Sequence, residues 1–205
     1  MSRALRLFLL ALAVAIATVA GVAAASALTA GDNGHDHAGD ERSPGLTPDG
    51  GPMTREGSEA DPRGGPPWTA LVFESETGRT CWITGRVKDG RFGSIQRDGT
   101  FVQRSAYDGA NCADLDGGHY GVALATGGPQ DDPDLVSGVV DDTVRRVSLL
   151  QGRGSRELRV SDRGSFVAVL GEKAGPADIR VQFAFADGST EVFSFDGRPP
   201  QRSRR

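Results

Sequence analysis

Leu135-Val-Ser-Gly-Val-Val140 opens the part of the chain on which the fold turns. After Asp-Asp-Thr143 comes Val144-Arg-Arg-Val-Ser-Leu-Leu150, and after Gln-Gly-Arg-Gly-Ser155 come Arg156-Glu-Leu-Arg-Val160 and Ser-Asp-Arg-Gly164. Ser165-Phe-Val-Ala-Val-Leu170 closes the stretch. Four short apolar runs rich in valine, each ended by turn formers, read as consecutive antiparallel strands. Val144 and Val147 are out of step for strict alternation, which places a β-bulge near Arg145-Arg146.

Working outward, Ile179-Arg-Val-Gln-Phe-Ala-Phe185 alternates cleanly, Ala186-Asp-Gly-Ser189 is its hairpin turn, and Thr190 to Phe195 is the last strand. Residues 196–205 read as a short basic tail. Towards the N-terminus, Tyr120 to Thr126 is another strand and Ser105 to Gly118 the least regular piece. Phe92 to Val102 reads as a hairpin with Asp98-Gly99 at its tip, preceded by strands at Thr80–Val87 and Trp68–Phe73. Trp68 and Trp82 sit inside strands and read as core anchors. Nine or ten short strands and no convincing helix predict an all-β domain over residues 68–195. An immunoglobulin-like β-sandwich is the leading architecture and a closed barrel the alternative.

Three of these strands also carry a resemblance. Val136-Ser-Gly-Val-Val140, Thr143-Val-Arg-Arg-Val-Ser-Leu149 and Gly164-Ser-Phe-Val-Ala-Val-Leu170, with the Asp187-Gly188 turn behind them, resemble uncharacterised exported proteins of high-GC Gram-positive bacteria. Those join an Ala-rich export helix and a polar linker to one immunoglobulin-like β-sandwich. The resemblance covers the second half of the domain. It implies a fold and an extracytoplasmic location, and it implies no activity.

Residues 1–30 fit that layout. Arg3 and Arg6 precede an uncharged run from Leu7 to Ala30. Ala25-Ser26-Ala27 is a small-x-small site open to signal peptidase, while the run is also long enough to span about 30 Å of hydrocarbon as a helix. Signal peptide and transmembrane anchor are both consistent with the residues, and each leaves the rest outside the cytoplasm. Residues 31–67 are dominated by Gly, Pro, Asp, Glu and Ser and read as a disordered linker that tethers the domain. His35-Asp36-His37 lies in it without a rigid ligand set around it.

The net charge of -4 gives no reason to expect a nucleic-acid partner. Cys81 and Cys112 are the only cysteines, and in an exported chain an even pair reads as a disulfide. His119 is the sole histidine of the expected domain, so a Ser-His-Asp hydrolase would have to use it, yet no Gly-x-Ser-x-Gly elbow exists. Asp108, Asn111, Asp114, Asp116 and Gly117 echo a calcium loop but fail an EF-hand register, and Asp131, Asp132, Asp134, Asp141 and Asp142 are further loop acids. Turn chemistry, with Asp and Asn bonding their own backbone, is the default for all of them. No catalytic, metal-ligating or cofactor-binding residue is assigned and no cofactor is expected. The expected function is a non-catalytic, membrane-tethered module binding another cell-envelope protein or glycan. An extracytoplasmic hydrolase using His119, and a membrane-anchored sensor or regulator, are the alternatives.

Overall fold

The structure, a computed structural model, describes residues 53–96, 98–104, 109–126, 133–170 and 175–204. The apolar run of residues 1–30 and His35-Asp36-His37 lie outside them, as do Asp108, Asp131 and Asp132. Among the described residues no helix is long and apolar enough to cross a membrane.

In chain order the strands begin with β1 (Thr54–Glu59), β2 (Trp68–Glu74), β3 (Thr80–Lys88), β4 (Arg91–Ile95) and β5 (Phe101–Gln103). Next come β6 (Asn111–Ala113), β7 (Tyr120–Ala125), β8 (Leu135–Val140), β9 (Val144–Gln151) and β10 (Gly154–Leu158). The last are β11 (Ser165–Val169), β12 (Ile179–Phe185), β13 (Thr190–Ser194) and β14 (Gln201–Ser203). The first sheet runs β1-β2-β3-β4-β5 with β6 also on β3, the middle sheet β11-β8-β7, and the third sheet β10-β9-β12-β13-β14. The expected all-β chain of packed sheets holds. Among the described residues the sheets pack as layers, as in a β-sandwich, with the middle sheet between the other two.

The middle sheet accounts for the pattern of Leu135–Val140 and Ser165–Leu170. Every residue of β8 and β11 is buried. Val136, Val140, Phe166 and Ala168 pack in a core with Val147, Leu149, Val181 and Phe183 of the third sheet. Leu135, Val139, Val167 and Val169 pack in another with Trp68, Val72 and Trp82 of the first. A strand covered on both faces needs apolar residues at successive positions, not at every second one, and Leu135-Val-Ser-Gly-Val-Val140 supplies them. Ser137 is buried without cost because its Oγ accepts a hydrogen bond from Trp82 Nε1 at 3.1 Å, tying the first sheet to the middle one. At Gly138 a Cβ would lie 2.2 Å from the Gly121 carbonyl oxygen and 2.7 Å from the Phe166 ring. Only glycine lets these strands pack.

The four runs are not a simple meander. The first pairs with the fourth, as β8 with β11, while the β9–β10 hairpin between them crosses to the third sheet and pairs with β12. The pattern gives the reason. β9 keeps Arg145 and Arg146 exposed and suits a sheet with one wet face. The bulge falls where it is expected: Ala184 lies opposite Arg146 and Phe185 opposite Val144, leaving Arg145 as the extra residue. Ile179–Phe185 alternates buried and less buried residues throughout, and Gly188 takes a φ of 81° in the turn after it.

Two sequence boundaries are corrected. Thr54–Glu59, assigned to the linker, is strand β1 on β2, and Thr69 Oγ1 donates to the Glu56 and Gly57 carbonyls at 3.0 and 2.6 Å where its register breaks. Its polar residues suit an edge strand, with Glu56 and Glu59 paired to Arg163 and Arg156. The 60–67 segment is held by the buried Asp61–Arg86 ion pair. At the other end, Gln201–Ser203, read as part of a basic tail, is strand β14 paired with β13.

The outer edge of the middle sheet follows from its ladder. The Asp141 N–H donates to the His119 carbonyl at 3.0 Å, and β7 and β8 continue in that register. Antiparallel residues bond their partner strand alternately, so Gly121, Ala123 and Ala125 bond β8. The N–H and C=O groups of Tyr120, Val122 and Leu124 point away from it. Hydrogen exchange by NMR is expected to show the Tyr120, Val122 and Leu124 amides exchanging faster than those of Gly121 and Ala123 by on the order of a hundredfold or more. Equal protection along β7 would refute the assignment of its edge.

Candidate functional site

Cys81 and Cys112 are directly opposite each other on β3 and β6, bonded, with Cα atoms 4.0 Å apart. Such a bond fits an oxidising compartment. Replacing both cysteines by serine is expected to lower stability by about 3–4 kcal/mol, mainly through the freed unfolded chain, read from urea unfolding with and without reductant. A change under 1 kcal/mol would show that β6 holds to β3 unaided.

His119, just before β7, meets the turn between β8 and β9. Its Nδ1 lies 2.8 Å from Asp141 Oδ2 and 3.1 Å from Thr143 Oγ1, and Thr143 Oγ1 donates to Asp141 Oδ1 at 2.5 Å. Two oxygens face Nδ1, so the geometry assigns its proton there. Burial works against the Asp141 charge, but the hydrogen bonds from Thr143 and His119 outweigh it and hold the carboxyl below its ordinary value. The ring stands edge-on to Phe185, with centroids 5.3 Å apart, and is nearly half exposed. In a Ser-His-Asp triad the nucleophile faces the ring nitrogen opposite the carboxylate. Thr143 faces the same nitrogen as Asp141 and is not placed to be one.

Tyr120, the next residue, starts a larger arrangement. Its ring stacks on Phe183 of β12 with centroids 3.9 Å apart and stands edge-on to Phe193 of β13 at 6.2 Å. Its hydroxyl donates to Glu191 Oε1. Burial, then the bond and charge of Glu191, push the Tyr120 phenol above its ordinary value, so it stays a donor. Phe193 is opposite Val181 and Glu191 opposite Phe183, so both residues of β13 face inwards with the β12 core. They nevertheless stay half-buried, because among the described residues β7 is the last strand of the middle sheet while the third sheet continues through β13 to β14. The result is an aromatic ledge: Phe193 and Phe195 edge to face at 5.1 Å, with Glu191 beside them. Exposed Arg202 bounds it, lying 5.2 Å over the Phe185 ring and bonding Ser189 Oγ at 3.1 Å.

Exposed sheet edges invite unwanted pairing and are usually blunted. β1 carries Arg55, Glu56 and Glu59 and a break in register. β5, β6 and β14 are three residues each. β10 carries Arg156 and Glu157, and β11 is wholly buried, its Val169 carbonyl taken by Arg156 Nη2 at 3.3 Å. β7 has none of these devices. Tyr120-Gly-Val-Ala-Leu-Ala125 holds no charge or proline, its register is unbroken, and among the described residues nothing pairs with its outer side.

Of the acids singled out in the sequence, those among the described residues form no group that could hold a metal ion. Asp114 Oδ1 accepts the backbone N–H groups of Asp116 and Gly117 at 3.1 and 3.2 Å, which is turn chemistry, and Asp141 is engaged as above. Trp68 and Trp82 are both core residues. An open concavity of about 320 Å³ between Leu149, Ser155, Arg156 and Val169 is entered by Arg156, which is already paired with Glu59. Sequence reasoning singles out His119 but not Asp141 as its partner, and passes over Tyr120 and Glu191. The last two lie 71 residues apart, and no short motif joins them. Compared with protein-family models, with curated proteins and with solved structures, the chain matches none.

Proposed function

We propose that the chain is an exported, membrane-tethered, non-catalytic β-sheet module that binds another component of the cell envelope through β7 and the adjoining ledge. The open β7 edge carries the reading, being the one long strand edge among those described that charge, bulging or covering does not blunt. The Cys81–Cys112 bond and the charged start followed by the Leu7–Ala30 run support an extracytoplasmic place for it. In this reading the middle and third sheets form the immunoglobulin-like sandwich, and the first sheet is an addition to it.

Cross-linking the tagged full-length protein in its own cells, with mass spectrometry of what is attached, is the test. A specific envelope component is expected, lost when Ala125→Lys puts a charge at the exposed end of β7. The same sample reports the mature N-terminus: a start near Leu28 would remove the tether from the proposal. The His119–Asp141 contact of 2.8 Å favours one rival, a hydrolase. The purified protein is expected to leave ester, peptide and glycan substrates unturned. Turnover abolished by His119→Ala would sink the non-catalytic reading.

A further inference from the structure

We propose that β7 takes up a single extended peptide from a partner protein as a fourth strand of the middle sheet, with alternate apolar side chains of that peptide resting on the Phe193–Phe195 ledge. This rests on the binding-module reading and names its partner class.

Tyr120, Val122 and Leu124 each present one N–H and one C=O outwards, repeating every second residue, about 6.8 Å along the strand. Only another extended peptide backbone offers donors and acceptors at that repeat, and strand addition to a free edge uses it. An added strand would run about 4.8 Å beyond β7. There the third sheet lies beneath it: Tyr120 already covers Phe183 of β12, so the next position covers β13, where Phe193 and Glu191 are half-buried. Among the described residues the middle sheet has three strands and the third sheet five. The added strand therefore completes a layer, and its downward side chains, one in every two, meet aromatic rings. Valine, isoleucine, threonine or an aromatic residue at those positions suits the surface, with polar residues between them.

A second copy of the chain does not fit. Antiparallel β7–β7 pairing has its two-fold axis perpendicular to the sheet, which sets both third sheets on the same side. Each projects β13 and β14 past β7 into the volume the other copy's third sheet needs. A lone strand brings no backing layer and meets no such obstacle.

The test pans a displayed library of random twelve-residue peptides against the full-length chain in detergent micelles, then measures synthetic copies of the selected peptides by fluorescence anisotropy. Enriched sequences are expected to alternate apolar and polar residues. Val122→Pro removes one outward N–H while leaving the bonds of Gly121 and Ala123 to β8, a position where an edge strand tolerates proline. It is expected to weaken binding at least tenfold. Peptides N-methylated on alternate residues provide a second readout that leaves the protein untouched: one of the two methylation phases is expected to abolish binding and the other to spare it. Binding indifferent to both changes overturns the proposal, as does a β7-dependent homodimer in sedimentation. A library that yields no peptide overturns strand addition, whereas the broader envelope-binding reading stands or falls on the cross-linking result.

Discussion

Replacing Arg86 by methionine is expected to destabilise the protein by about 3–5 kcal/mol, the usual result of leaving one member of a buried ion pair without the other. The side chains of Arg86 and Asp61 are 5% and 3% exposed, so the carboxylate left behind has no water to turn to. Arg86 does more than neutralise it. Nη1 also donates to the Pro66 carbonyl at 2.9 Å, and the guanidinium lies 4.2 Å over the Trp68 ring. Asp61 in turn accepts the Arg63 N–H at 2.9 Å. The pair thus pins the 60–67 segment, and with it β1, to the first sheet. A Cβ on Gly65 would stand 2.5 Å from Asp61 Oδ2, so Gly65→Ala is expected to loosen the same clasp from outside. Urea unfolding followed by tryptophan fluorescence measures each loss. The pH dependence has a definite sign. Burial opposes the Asp61 charge, but the Arg63 and Arg86 contacts prevail and hold its carboxyl below the ordinary value. A lowered folded-state pKa means the stabilisation is complete above the unfolded value of about 4 and fades as pH falls through the folded one. The gap between the wild type and Asp61→Asn should therefore be widest near neutrality and narrow below about pH 4. A gap independent of pH would show that the carboxylate is not what the guanidinium holds.

Gly138→Ala should be almost as damaging, at least about 3 kcal/mol, although it adds a single methyl group. Gly138 is not among the glycines with positive φ, so the problem is space and not backbone strain. The methyl would strike the Gly121 carbonyl oxygen at 2.2 Å and the Phe166 ring at 2.7 Å. A backbone oxygen cannot swing aside as a side chain can, so β7 would have to shift on β8 or the Phe166 core open. Gly188→Ala makes a useful contrast. It sits at a φ of 81° with open space around its Cβ, and its cost is only that of a left-handed alanine, roughly 1–2 kcal/mol. Thermal unfolding of both variants decides the point. If Gly138→Ala proves the milder of the two, the middle sheet is not packed as tightly as described.

Local pattern made parts of this fold readable. Ile179–Phe185 declares its two faces by alternation, Asp187-Gly188 declares the turn, and the misfit of Val144 with Val147 locates the bulge. The continuous apolar runs Leu135–Val140 and Ser165–Leu170 declare strands; that they are covered on both faces emerges only from the packing. What stayed hidden depends on partners. Thr-Arg-Glu-Gly-Ser-Glu59 has no apolar pattern, because an edge strand held by backbone bonds and ion pairs needs none. Asp61 and Arg86, Tyr120 and Glu191, and His119 and Asp141 meet only through tertiary packing, and no motif spacing encodes them. Cys81 and Cys112 were legible as a pair because two cysteines leave only one intramolecular bond to form. The openness of β7 could not be read at all: its six residues look like those of any buried strand until their neighbours are known.

Sharing the middle sheet between two cores also bears on how the molecule comes apart. Losing either outer sheet strips one whole face from β8 and β11, whose residues suit no contact with water. Half-unfolded forms are therefore expensive, and the three layers should melt as one cooperative unit rather than sheet by sheet. Assembly carries the matching burden. β8 must wait for β11 across the whole β9–β10 excursion, and the third sheet closes only when β12 returns to β9. Pairings so distant along the chain place folding in the slow, millisecond-to-second regime of β-rich domains. During that interval the uncharged β7 segment is exposed to other chains.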